Sequence, residues 1–177
     1  FLYPAGAQQG KTVEVTAVGT NLAGASAVRS SGRGVSVRVL QEVNPMTVRL
    51  SIAVAADAEL GVHDIRFITA GGISNRFRFT VSDLPEMKEA EPNSEFARAQ
   101  SLSSLPLVIN GQLFEADRDY YRFSAKAGET LVCEAQARAI LPFMADAVPG
   151  WCDASLSLYD ASGKEVSAQL SAVTKHP

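Results

Sequence analysis

The 177-residue sequence has little cysteine, histidine or tryptophan, and each scarcity removes a class of function. Cys133 and Cys152 are the only cysteines and have no spacing partners of the kind a zinc site requires, so a metal–thiolate centre is excluded. His63 and His176 are the only imidazoles. His63 stands beside Asp64 in a strand-like run, where adjacent side chains point to opposite faces and cannot form a base–acid pair. Neither Gly-x-Ser-x-Gly nor His-Glu-x-x-His occurs. The expectation is a chain with no catalytic residues.

Long apolar runs are also missing. No window approaches the roughly 18 consecutive apolar residues of a membrane span. The opening Phe1-Leu2-Tyr3-Pro4 lacks a charged-then-apolar leader and reads straight toward a strand, as it would after removal of an upstream signal peptide. Positive charge is not in excess: 16 Lys and Arg stand against 19 Asp and Glu, giving a net charge of −3. Without a general basic field to release counterions from phosphates, nucleic acid is not an expected partner.

What is present is a foldable composition, 46% hydrophobic and 20% charged, organised in short alternating runs. Val13, Val15 and Ala17 share one face, as do Val48, Leu50, Ile52 and Val54. His63, Ile65 and Phe67 repeat the rhythm, and Phe77, Phe79 and Val81 close it. Gly10, Gly19, Gly24, Gly61, the Gly71-Gly72 pair and Asn44-Pro45 punctuate these runs, and Gly32-Arg33-Gly34 reads as a hairpin tip. Such spacing without amphipathic helices predicts an all-β protein, with an immunoglobulin-like sandwich over residues 1–83.

Residues 82–93, SDLPEMKEAEPN, are acidic and carry two prolines, the pattern of a linker. Asn93 or Ser94 is placed to cap a short helix over 95–101. Strands are then expected at 107–113 around an Asn110-Gly111 turn, at 120–125, 130–137 and 155–159, with hairpins closed at Ala127-Gly128 and Ser162-Gly163. These form a second β-sandwich over 84–177, with Cys133 on the inward face of its strand.

Five motifs in this second half occur in order: Glu91-Pro92-Asn93-Ser94 with Ala97, Ala99 and Gln100; Asn110-Gly111-Gln112-Leu113; Asp117-Arg118-Asp119-Tyr120-Tyr121-Arg122-Phe123; Ala127-Gly128-Glu129-Thr130-Leu131; and Leu156 to Gly163. Together they resemble the bacterial pre-peptidase C-terminal domain, a jelly-roll module attached to secreted proteases and other extracellular proteins. Ser94 stands where that family usually has an acid, and the family's closing strands are mostly missing beyond Val166, so the chain is expected to stop inside this domain. Pro4-Ala5-Gly6, Gly19-Thr20-Asn21-Leu22 and Gly71 to Asn75 before Phe77-Arg78-Phe79 resemble the IPT/TIG group of immunoglobulin-like domains. The pairing is similar to that in large secreted or envelope proteins of planctomycete-like bacteria.

Two acidic rows are candidate metal ligands. Glu89, Glu91 and Asn93 alternate along an extended segment, and Asp117 and Asp119 alternate before a strand, so each set can emerge on one side. Calcium takes six to eight oxygens, which carboxylates, an amide and main-chain carbonyls could supply. Some relatives in the family hold calcium in this region; the alternative is a solvated linker and turn. Trp151, beside Pro149, Gly150 and Cys152, is a candidate ligand contact. Cys133 and Cys152 are either a disulfide of an oxidising compartment or two small core residues. The resemblance places them on or beside neighbouring strands.

The function expected is that of a non-catalytic accessory module pair, secreted, periplasmic or at the cell surface, that positions neighbouring domains of a parent protein. An adhesion module for extracellular protein or polysaccharide, and a removable processing segment of a secreted hydrolase, are the alternatives.

Overall fold

The computed structural model describes residues 1–114, 117–136 and 154–169. Two-residue alternation of burial builds the N-terminal sandwich. Its strands are β1 (Leu2–Tyr3), β2 (Gly6–Gln8), β3 (Thr12–Val18), β4 (Ala27–Ser30), β5 (Val35–Asn44), β6 (Thr47–Val54), β7 (Gly61–Thr69), β8 (Gly72–Ile73) and β9 (Phe77–Ser82). One sheet has the order β1-β3-β6-β5, all antiparallel; the other has β2-β9-β7-β4, with β8 on β7 and β2 running parallel to β9. Pro4, which has no N–H to donate to a ladder, marks the point where the chain leaves the first sheet for the second.

The faces expected from the sequence are the buried ones. Val48, Leu50, Ile52 and Val54 on β6 oppose Ile65, Phe67, Phe77, Phe79 and Val81 of the other sheet in one core cluster. Phe67 and Phe77 meet edge to face at 5.3 Å, the arrangement favoured by ring quadrupoles. His63 is buried too, and its Nδ1 and Nε2 lie 2.6 and 2.7 Å from the carbonyl oxygens of Ser31 and Glu59. Gly32 closes over this ring, since a Cβ there would stand 2.7 Å from it. Gly32-Arg33-Gly34 is therefore not a hairpin tip: it carries the chain from β4 in one sheet to β5 in the other, with φ of 73° and 86° at its glycines.

The acidic segment after β9 is not an open linker. Glu86–Lys88 forms β10, a parallel partner of β12 (Val108–Asn110). Asn110 accepts from the Ala5 main-chain N–H and donates to Glu86, while the Ser82 hydroxyl also reaches Glu86, so this strand pair is fastened to the sandwich. Residues Phe1–Arg122 accordingly form one compact unit. The expected helix reduces to a 3-10 turn, Phe96–Arg98, capped by extended Glu95 without a side-chain bond. Its place is taken by β11 (Gln100–Ser101), paired in parallel with β13 (Tyr121–Arg122). Gly111 does not close a hairpin, because β12 pairs with β10 rather than with the residues that follow it.

The second unit is Phe123–Pro177. In it β14 (Leu156–Tyr159) and β15 (Glu165–Gln169) form the expected hairpin, turning at Gly163 with φ 84°. Asp160 accepts from the Ser162 hydroxyl and main chain and from the Lys164 N–H, which holds its carboxyl below the usual range. Lys126 to Glu129 turns at Gly128, φ 89°, but this turn closes no hairpin, because the described residues that follow it form no strand. Residues 130–136 are not a strand, and Cys133 is exposed rather than inward-facing and unpaired among the described residues. Alternation marks a face as suitable for burial; it needs an opposing sheet to be buried. Trp151 and Cys152 lie outside the described residues.

Candidate metal centre

Three of the five oxygen-bearing residues singled out in the sequence, Glu89, Glu91 and Asp119, bring one carboxylate oxygen each within 4.8 Å of one another. Local structure explains the gathering. Glu89 extends the β10 ladder by donating its N–H to the Asn110 carbonyl at 3.0 Å, and two-residue alternation puts Glu91 beyond it on the same side. The Asn93 N–H donates back to the Glu91 carboxylate at 2.9 Å. The Asn93 carbonyl accepts from the Tyr120 N–H at 3.0 Å, which draws the Asp119 segment alongside.

Asn93 itself is fully buried, and neither its amide oxygen nor its amide nitrogen has a hydrogen-bond partner. Asp119 Oδ1 is likewise buried and unpartnered. Orphaned buried polar atoms of this kind carry a desolvation penalty of about 1–3 kcal/mol each and call for a ligand, an ion or a water. Asp117 is turned elsewhere. It accepts from the Ser94 hydroxyl at 3.2 Å and from the Phe114 and Arg118 N–H groups, which hold it in the turn that precedes Asp119.

The electrostatics are those of an uncompensated anionic site. Burial, then the charges of Glu89, Asp117 and Glu91, push Asp119 up to about 6. Tyr121 is pushed well above the ordinary phenol range, first by burial and then by Asp119 and Glu89. Among the described residues the ion pairs join Arg33 to Asp57, Arg49 to Glu14, Arg76 to Asp64 and Arg98 to Glu95, and none of them serves the cluster.

Two contributors were not singled out as site residues in the sequence. Tyr121 donates its hydroxyl to Glu89 at 3.4 Å, and its alternation with Asp119 was the available signal. Gly111 leaves the space that the Glu89 carboxylate fills, since a Cβ there would lie 2.6 Å from Oε2. The Gln112 N–H holds the other carboxylate oxygen. Glu89, Glu91 and Asp119, with Asn93 beside them, suit a hard, oxygen-seeking cation such as calcium. Compared with protein-family models and with curated proteins, the chain matches none.

Proposed function

We propose that this chain is a non-catalytic accessory segment of a larger extracellular protein, in which a calcium ion bound at Glu89, Glu91 and Asp119 stiffens the start of the second module. The observation that carries the reading is the convergence of three carboxylates beside the wholly buried, unpartnered Asn93 amide. A cation there removes the mutual repulsion and gives the orphaned oxygens a partner. It also ties together the segments that contribute ligands, residues 89–93 and the approach to β13.

The accessory role draws on the modular resemblance and on the enclosure of His63, whose ring nitrogens both face main-chain carbonyls. Positioning of neighbouring domains needs a connection that resists bending, and the fastening of β10 and β12 onto the N-terminal sandwich supports that use. The jelly-roll assignment of the second module belongs to the same proposal.

Thermal melting in calcium and in chelator tests it. Binding to the folded state alone stabilises by RT ln(1 + [L]/Kd), about 2.7 kcal/mol at a hundredfold excess over Kd. A melting temperature that rises with calcium supports the site, and one that is the same in calcium and chelator refutes it.

A further inference from the structure

The side-chain amide of Asn110 sits in a polar nest that engages both of its ends. Its Oδ1 accepts from the Ala5 N–H at 2.9 Å, and its Nδ2 donates to Glu86 Oε2 at 2.8 Å. A main-chain N–H can bond only to the amide oxygen, so the orientation of the amide is fixed by its partners. Glu86 is half-buried and takes the Ser82 hydroxyl on Oε1 at 3.0 Å. Gly6 makes room for it, since a Cβ there would lie 3.3 and 3.4 Å from the two carboxyl oxygens and 2.6 Å from the Thr80 carbonyl.

An amine stands beside this amide. Lys88 is the Cα partner of Asn110 in the parallel β10–β12 pair, and paired strands lie about 4.8 Å apart. Glu86 precedes Lys88 by two residues, so both side chains leave β10 on one side, the side on which Glu86 meets Asn110. The Lys88 Nζ lies 5.7 Å from the centre of the Tyr3 ring, and the Tyr3 hydroxyl donates to the Asn110 carbonyl at 3.4 Å, which keeps the amine at the same seam. Its flexible stem lets it swing from the ring to the amide carbon. Burial raises the Glu86 carboxyl, so this acid keeps its proton to higher pH than an exposed one does.

We propose that Asn110 is a modification site at which the Lys88 amine forms an isopeptide bond, joining β10 covalently to β12. The Lys88 ammonium first gives one proton to water. Its free Nζ then attacks Cγ of Asn110, and the Ala5 N–H holds the negative charge that develops on Oδ1. Glu86 gives its proton to Nδ2 and takes one from the attacking nitrogen. The Cγ–Nδ2 bond breaks, and ammonia leaves to take up the proton first released. An ammonium and a primary amide become a secondary amide and an ammonium ion, with no oxidant or co-reactant. The bond keeps the two strands together under a pull along the chain, which goes beyond the accessory role and does not depend on the cation site.

The test is intact mass and peptide mapping of the full chain held at neutral pH. The parent should lack the mass of one ammonia in a fraction of chains that grows with time, and a branched peptide should join Lys88 to Asn110. Lys88→Arg keeps the positive charge without a nucleophilic amine and should keep its full mass. Glu86→Gln should slow the loss about a hundredfold, the scale of a positioned acid–base group. Lys164→Arg, in the second unit, should react as the parent does. Chains that have not reacted are held at the seam by hydrogen bonds alone, so the two forms are separated before their stabilities are compared. If Lys88→Arg does not fold, the branched peptide of the parent and the rate in Glu86→Gln decide. A parent that keeps its full mass, loss of ammonia undiminished in Glu86→Gln, or loss that persists in Lys88→Arg as an imide between Asn110 and Gly111 would overturn the proposal.

Discussion

Asn110 and Glu86 are joined by a side-chain hydrogen bond of 2.8 Å that fastens two segments widely separated in sequence. The same amide accepts from the Ala5 N–H at 2.9 Å, so one side chain links β12, β10 and the N-terminal strand region. Replacing Asn110 by Ala leaves the Ala5 N–H and one Glu86 oxygen without these bonds in a partly buried seam, while Ser82 keeps its bond to the other Glu86 oxygen. The expected loss is about 1–3 kcal/mol, read by urea denaturation, with the core of the sandwich otherwise unaltered.

Glu86 makes this seam sensitive to pH. Burial raises its carboxyl above the usual value, and the bonds from Asn110 and Ser82 only partly oppose that. A raised carboxyl pKa means that the folded state binds the proton more tightly than the unfolded chain. Its contribution is fully present below the unfolded value and is lost as pH rises through the folded one. Glu86→Gln, which keeps an oxygen acceptor, should flatten that decline and stabilise the protein at neutral pH relative to the parent. Melting curves from pH 4 to 7, about the window in which carboxyls titrate, measure it; parallel curves for parent and variant would contradict the assignment.

Gly111 is the position at which the carboxylate cluster can be disturbed without altering a carboxylate. A Cβ there collides with the Glu89 carboxylate, which is the movable end of a side chain. Gly111→Ala should therefore fold, cost about 1 kcal/mol or less, and weaken calcium binding about tenfold or more as the misplaced Glu89 loses its contact. Comparison of calcium titrations of parent and variant decides it.

Much of the N-terminal sandwich was legible because each strand writes its buried face locally. Val48 to Val54 and Phe77 to Val81 alternate in sequence and in burial. The parallel pairs β10–β12 and β11–β13 were not legible, since their partners lie far along the chain and residues 82–93 have the composition of a solvated linker. In the candidate site, alternation placed Glu89 and Glu91 together correctly. It could not show that Ser94 and the turn around Phe114 would draw Asp117 away, because that depends on hydrogen bonds made after the loop closes. The outward position of Cys133 was hidden for a related reason: residues 131–137 alternate like a strand, and sequence does not reveal whether a second layer covers them.

Asp119 should respond to mutation with opposite signs in the two cation states. Without calcium, Asp119→Asn removes a charge repelled by Glu89, Asp117 and Glu91, and should stabilise the fold by about 0.5 kcal/mol, the scale of screened charge interactions. With calcium, the parent should overtake the variant. Melting of both proteins in chelator and in calcium checks the crossing.

The most direct measurement is calorimetric titration of calcium into the chelator-treated full chain. One ion per chain should bind to the parent, and the heat should vanish in Asp119→Asn while persisting in Asp57→Asn, an exposed acid of the N-terminal sandwich paired with Arg33. A parent that takes up no calcium at millimolar concentration, roughly the weakest range of extracellular calcium modules, or an Asp119→Asn variant that binds as the parent does, would contradict the cation site.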